Sequence, residues 1–311
     1  MSMLKEYYLQ PDAPDPVLAE AEVLRCVRRF MPTAKAVTGV DESGGEARIY
    51  IVDEVIMVKV QRPQQVRVGT SLAREVFYLN QLAAAAPDLP VPRVLGYSRD
   101  TNLLEYNIQT RMPGVAYVNA SLAPEAQRNV IFSLGRLLRR LHAIPQQPFH
   151  DSAHFPTDRT SADFRARLSE YFDVVAGRLE KNGRTWPLEI PFESVRERTL
   201  AALSESQEFL ALHSNPGPPH TFVDPSTGRF QGLIDFGDAY ISHPALDVWR
   251  WRWPAERVAA LAGYTADSPV GDDFMRTWKA VTVAASAVLV AFFPDRESEA
   301  TTDLRRSLSD L

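Results

Sequence analysis

Between Leu212 and Asp247 the chain reads LHSNPGPPHTFVDPSTGRFQGLIDFGDAYISHPALD. Its second half ends the apolar pair Leu233-Ile234 in Asp235 and continues Phe236-Gly237-Asp238. A carboxylate emerging at the edge of a buried strand suits a hard divalent cation that bridges phosphates. The same four residues also read as a tight turn capped by that carboxylate. Asp238 fits two roles, second metal ligand or helix cap. The first half, His213-Ser214-Asn215, puts an amide where a phosphoryl-transfer site needs a carboxylate. His213 is a catalytic candidate that also reads as a loop holder, bonded to backbone. His220 can ligate a metal through imidazole, although Mg²⁺ does not favour that ligand.

Phosphoryl transfer depends on positioning and charge neutralisation more than on covalent chemistry. It needs a lysine on the nucleotide phosphates and a helix carboxylate to orient that lysine. Lys59 lies in the apolar run Ile56-Met57-Val58-Lys59-Val60, on the face opposite Val58 and Val60. A lone strand lysine is usually a solvated edge residue, but Glu75 follows on a predicted helix and offers an ion pair. Thr38–Glu46 carries Gly39, Gly44 and Gly45, and reads either as a backbone cradle for phosphates or as a plain turn. Trp249, Trp251 and Trp253 spread round a helix axis, which favours core packing over the wall of an acceptor pocket.

The elements that must position these residues follow from periodicity. Asp15-Pro16 is expected to open a helix running to Met31, with Val17, Ala21, Leu24, Val27 and Met31 at helical spacing. Ala47–Val52 and Val55–Gln61 predict a hairpin about Asp53-Glu54. A helix is predicted over Ser71–Ala86, ended by Pro87, Pro90 and Pro92. Arg93–Tyr97 and Leu103–Arg111 are expected to be extended, with Met112-Pro113-Gly114 as a connector. Beyond it, helices are predicted over Ser121–His142, Ala162–Leu179 and Phe192–Leu212. A hairpin of Thr221–Val223 and Phe230–Ile234 follows, turned by Pro225-Ser226-Thr227-Gly228, and helices resume from Pro244. The resulting expectation is an α+β chain of two lobes, a small strand-rich one over residues 1–112 and a larger helical one over 113–311.

Composition narrows the partners. With 34 basic and 39 acidic residues the net charge is −5, which leaves no basic excess to displace counterions from nucleic acid. The single cysteine, Cys26, cannot form an internal disulfide. The N-terminus MSMLKEYYLQPDAPD lacks an apolar signal core. The apolar stretch Val281–Phe293 is expected to be a buried helix too short to span a bilayer. A cytoplasmic protein that binds neither membrane nor nucleic acid is the expectation.

These residues resemble the aminoglycoside phosphotransferase and choline kinase-like family, related in fold to protein kinases, over roughly residues 35–255. The resemblance implies a two-lobed protein kinase-like fold. It also implies transfer of a γ-phosphoryl group from ATP or GTP, with Mg²⁺, to a hydroxyl of a small molecule. It places the phosphate-holding lysine on Lys59 and its partner on Glu75, and has the backbone about Thr110–Met112 bind adenine. It places the metal-binding aspartate on Asp235 and the later acidic residue on Asp247. The departures are as informative. The family's His-Gly-Asp is His213-Ser214-Asn215 here, the asparagine five residues on is His220, and Gly-Asp-Pro is Ser242-His243-Pro244. An amide can bond a substrate hydroxyl but cannot take its proton. Asn215 therefore fits an introduced trapping change, a natural pseudokinase that binds nucleotide or metabolite without turnover, or a divergent subfamily that uses His220 as an altered metal or phosphate contact.

Overall fold

A computed structural model describes residues 8–67, 69–99, 104–205 and 208–311. The strands are β1 (Val37–Asp41), β2 (Ala47–Val52), β3 (Ile56–Gln61), β4 (Val94–Arg99), β5 (Glu105–Thr110), β6 (Val115–Ala116), β7 (Leu210–Leu212), β8 (Thr221–Val223), β9 (Phe230–Leu233) and β10 (Tyr240–Ser242). The helices are α1 (Glu20–Arg28), α2 (Leu72–Ala85), α3 (Pro124–His142), α4 (Gln147–His150), α5 (Ser161–Lys181), α6 (Phe192–Ala201), α7 (Ala245–Val248), α8 (Pro254–Thr265), α9 (Asp272–Phe292) and α10 (Glu297–Ser309). The fold is α+β, an N-terminal antiparallel sheet followed by a mainly helical region. Contacts divide the chain into two compact units, one of residues 1–122, 144–156 and 213–240, the other of 123–143, 157–212 and 241–311.

In the first unit the five-stranded sheet has the order β1-β2-β3-β5-β4, antiparallel throughout. Successive side chains alternate between faces, so Tyr50, Val52, Ile56, Val58, Val60, Tyr106 and Ile108 line one face and pack with Val23, Leu24, Cys26 and Val27 of α1. Lys59, pairing across to Asn107, falls on the opposite face. The β2–β3 hairpin turns through Asp53, Glu54 and Val55, with Asp53 and Glu54 both left-handed (φ 50° and 62°). A separate sheet orders β6-β8-β9, and β9 leads into Asp235.

Two expectations differ from the structure here, and a third reaches beyond the described residues. Asp15-Pro16 does not open α1, which begins at Glu20. Arg48, only 3% exposed, takes the Asp15 carboxylate with two nitrogens at 2.9 and 2.8 Å and donates to the Pro16 carbonyl. A buried guanidinium needs such a partner more than a helix end needs its cap. Thr38–Asp41 belongs to β1, so the glycine-bearing loop shrinks to residues 42–46. There Arg62 donates to the Gly44 carbonyl at 3.0 Å and its backbone N–H to that of Glu46 at 2.8 Å. Leu103, the expected start of an extended run, lies outside the described residues; β5 begins at Glu105.

In the second unit α3 packs along α8, and α9 contacts α5, α6, α7 and α10. Gly135 and Gly263 allow the close approach of α3 and α8. A Cβ at Gly135 would meet the Ala260 carbonyl oxygen at 2.1 Å, and one at Gly263 the Phe132 oxygen at 1.9 Å. The helix expected over Phe192–Leu212 stops at Ala201. Leu210–Leu212 is instead the buried strand β7 beside β10, a short apolar run buried on both faces. The apolar stretch near Val281 belongs to the 21-residue α9, which by length and composition could cross a membrane, in contrast to the shorter segment expected. Some 72% of its apolar window is buried in the fold. Trp249 and Trp251 are buried, Trp249 edge-on to Tyr171 at 4.9 Å, while Trp253 is half-buried with the Arg296 guanidinium over its ring.

His243 occupies the start of α7. Its ring lies 5.5 Å from both Phe164 and Phe274, and Nδ1 accepts the Ala245 N–H at 3.2 Å. Behind it, Asp247 accepts from His142 Nε2 at 3.1 Å, and His142 Nδ1 accepts the Tyr264 hydroxyl at 3.0 Å. Burial, with His142 nearby adding to it, pulls the His243 pKa down to about 3. The ring is therefore a neutral acceptor for the Ala245 N–H just before α7.

Candidate active site

The first unit gathers Lys59, Glu75, Asp235, Asn215, His213 and His220. Lys59 reaches its place because β3 is central and α2 crosses the polar face of the sheet. Ser71 caps α2, accepting the Arg74 N–H at 3.4 Å, and the first turn then turns Glu75 inward with no exposed surface. Lys59 Nζ lies 2.8 Å from each Glu75 oxygen and 2.9 Å from Asp235 Oδ1. Burial works against the ammonium, but Asp235 and Glu75 outweigh it and hold the Lys59 pKa above its ordinary value. Burial pushes Glu75 up, while Lys59 pulls it back. Burial also opposes the charge of Asp235, yet Lys59 and then His220 keep its carboxyl well below the usual carboxylate range.

The loop after β7 is held by ring nitrogens. His213 Nε2 donates to the Ile234 carbonyl at 2.8 Å and Nδ1 accepts the Asn215 N–H at 3.2 Å, which fixes one neutral tautomer. His220 Nδ1 donates to the Asn215 carbonyl at 2.8 Å, and its Nε2 lies 3.3 Å from Asp235 Oδ2. Ser214 and Asp235 adopt left-handed backbone (φ 78° and 72°), which side chains with a Cβ disfavour. Such strain persists only where surroundings over-determine it, and it concentrates at functional sites. The Asn215 side-chain amide is half-buried and makes no hydrogen bond among the described residues, so it is available to a ligand.

Asp238 caps no helix among the described residues. It accepts the Thr70 hydroxyl and faces Arg67 at 3.6 Å. The Gly237 carbonyl accepts from the Ser71 N–H at 3.2 Å and from Arg74 at 3.2 Å. Arg74 also donates to the His154 carbonyl at 2.7 Å and to that of Gly69. The start of α2, which carries Glu75, is thereby fastened to the loop that carries Asp235.

In the connector the Thr110 N–H goes to the Arg93 carbonyl at 2.9 Å and its hydroxyl accepts the Arg93 N–H at 2.9 Å, while Arg111 N–H goes to Val55. Met112 is buried, and its N–H is the donor left without an acceptor there among the described residues. Sequence reasoning overlooked Asn107 and Arg74. Asn107 has no exposure, sits across from Lys59, and its amide lowers the Glu75 pKa against the push of burial. The strict alternation Glu105-Tyr106-Asn107-Ile108-Gln109 was the signal, since an amide on a face shared with Lys59 is not a solvent residue. Arg74 left no comparable sign, because arginines on helices are usually exposed.

For a divalent cation the donor set is short. Among the described residues no group of three His, Cys, Asp or Glu could hold a metal. Mg²⁺ is commonly held by one or two carboxylates together with phosphates and water. Asp235, with Oδ2 turned from Lys59, fits that minimum; His220 is a nitrogen donor beside it.

Comparison with known proteins places this geometry. A model of the phosphotransferase enzyme family, APH, matches residues 37–278. No curated protein sequence matches the chain. Among solved structures, the gentamicin complex of APH(2″)-IIa is 18% identical, covering 95% of this chain and 96% of its own, with a TM-score of 0.58. The ADP-bound aminoglycoside phosphotransferase APH(2″)-Ib is 18% identical over 93% of this chain and 97% of its own, with a TM-score of 0.57. The macrolide 2′-phosphotransferase MphH of Brachybacterium faecium, without ligand, is 19% identical over 94% and 97%, with a TM-score of 0.55.

Proposed function

Because the chain belongs to the phosphotransferase enzyme family, we propose that it binds ATP or GTP in its first unit and transfers the γ-phosphoryl group to a hydroxyl of a small molecule, slowly in this form. The observation that carries the reading is the cluster of Lys59 with Glu75 and Asp235. A buried ammonium held by two carboxylates is a fixed positive charge at the place where phosphates would lie. Glu75 orients Lys59, and Asn107 orients Glu75. The Met112 N–H offers the connector's donor to a base. Asp235 would hold a divalent cation, which when bound neutralises phosphate charge.

At Asn215 the amide can orient an acceptor hydroxyl but leaves its proton without a carboxylate base, a loss worth ~10²–10⁴ in rate. That one residue also supports a second reading, a nucleotide- or metabolite-binding protein without turnover. The similar proteins take acceptors as different as gentamicin and a macrolide, so the acceptor proposed is a hydroxyl compound of open class.

The test compares the chain with Asn215→Asp on a panel of aminoglycosides, macrolides, sugars and amino alcohols, with calorimetric ADP and GDP binding in parallel. Turnover rising ~10²-fold or more in Asn215→Asp, at similar nucleotide affinity, supports the kinase. Nucleotide binding without turnover in either form supports the binding protein. No nucleotide binding in either form sinks both.

A further inference from the structure

We propose that His220 and Asp235 form a nitrogen–oxygen chelate for a borderline transition-metal ion such as Mn²⁺, Co²⁺ or Zn²⁺, in place of the all-oxygen site that suits Mg²⁺. The proposal deepens the nucleotide-site reading and rests on it for the remaining ligands.

Three features of the loop argue for it. The His220 Nδ1 partner is a backbone carbonyl, 2.8 Å away, so Nδ1 carries hydrogen. A metal-ligating histidine characteristically gives its other ring N–H to such an acceptor, which fixes the ring and raises the basicity of the ligating nitrogen. Nε2 then faces Asp235 Oδ2 at 3.3 Å. Two ligands each ~2.0–2.2 Å from one ion lie roughly 3–3.5 Å apart in adjacent positions, so this pair has the bite of a chelate. Oδ1 of the same carboxylate is taken by Lys59 at 2.9 Å, which leaves Oδ2 as the outward oxygen.

The geometry is also held from behind. The Asn215 peptide is fixed by His213, which itself bonds Ile234 at 2.8 Å, and the Ile234 N–H donates to the His220 carbonyl at 3.1 Å. The two ligands are therefore tied to each other through backbone on both sides. Imidazole suits Zn²⁺, Co²⁺ and their neighbours, whereas Mg²⁺ selects carboxylate, carbonyl and water. With no third protein ligand among the described residues, phosphate oxygens and water would complete the shell.

The experiment uses the full chain and two ions, Co²⁺ and Mg²⁺, each titrated by calorimetry with and without saturating ADP. Visible spectra are recorded for Co²⁺, and pulsed EPR for bound Mn²⁺. In the native chain, Mn²⁺ should show coupling to a directly bound ¹⁴N. His220→Asn should abolish that coupling and weaken Co²⁺ by at least about tenfold, while changing Mg²⁺ less than about threefold. His220→Gln serves as the second variant, and circular dichroism checks that both fold. Loss of the ¹⁴N signal in either folded variant supports the chelate. A native chain without that coupling, or equal loss of Co²⁺ and Mg²⁺ affinity in the variants, overturns it and assigns the ring to a plain ion pair with Asp235. If ADP does not bind but a His220-dependent Co²⁺ spectrum remains, the chelate stands and the nucleotide reading fails.

Discussion

The ammonium of Lys59 meets both oxygens of Glu75 at 2.8 Å, inside a carboxylate environment with no exposed surface on the glutamate side. The two partners are not equivalent, because Lys59 has Asp235 as a second anion and Glu75 has no second cation within ion-pair distance among the described residues. Lys59→Met should therefore destabilise more than Glu75→Gln. Stranding a buried carboxylate costs about 3–5 kcal/mol, moderated as Glu75 takes up a proton, whereas Lys59 without Glu75 keeps a partner. Urea unfolding of both variants checks the order. Equal loss, or greater loss in Glu75→Gln, would mean that Asp235 does not share the lysine.

Asp238 fastens the start of α2 through Thr70 and Arg67. Asp238→Ala should loosen that end without unfolding the unit, since a hydrogen bond to a charged group contributes about 1.5–3 kcal/mol. Hydrogen exchange at the amides of residues 71–76 should quicken about tenfold or more, and ADP affinity should fall in step. Asp238→Asn, which keeps an acceptor for Thr70, should recover most of both effects. A variant with unchanged exchange would show that the Gly237 carbonyl bonds suffice alone.

Ser214 stands left-handed at φ 78° where the resembled family carries glycine. Ser214→Gly should be neutral to stabilising by up to about 1 kcal/mol, because relief of the left-handed penalty competes with glycine's extra chain entropy. Ser214→Val should destabilise by at least ~1–2 kcal/mol, since a β-branched residue tolerates this backbone worst and the site is buried. Thermal melts rank the three; a valine variant as stable as the parent contradicts the backbone assigned to this loop.

His243 links folding to acid. Folded, its pKa is held down to about 3 by burial and by His142; unfolded, the ring titrates near about 6.5. Above that value both states are neutral and the full stability is present. As pH falls, the unfolded chain takes up a proton that the folded one refuses, so stability drops by about 1.4 kcal/mol per unit until pH nears the folded value. Between pH 7 and 5, His243→Asn, whose amide can still accept the Ala245 N–H, should show a urea midpoint that slopes less steeply than the parent's. Parallel slopes would mean that the ring titrates alike in the folded and unfolded chain.

Much of the site is legible because it is written in local periods. Alternation in β3 puts Lys59 opposite Val58 and Val60, and helical phase in α2 turns Glu75 inward with Val76 and Leu79. Asp235 follows directly from the end of an apolar strand. The same local logic misplaced the helix over Phe192–Leu212, because a run such as Leu210-Ala211-Leu212 fits a buried strand and a helix equally well. It also assigned Asp15 to a helix cap, although Arg48, 33 residues away, has the stronger claim on that carboxylate.

The sequence alone determined the chemical types available: an ammonium on a strand, a carboxylate on the next helix, a carboxylate at a strand end and an amide in the loop before it. It also determined the alternation and helical phase that set which side of each element they occupy. Tertiary structure decided which of them meet. Lys59 and Asp235 are 176 positions apart and touch at 2.9 Å, Asp238 turns to Thr70, and His220 faces Asp235. Local periodicity fixes a side chain's direction from its own few neighbours, but a partner across the chain is chosen by packing and by the cost of leaving a buried charge unpaired.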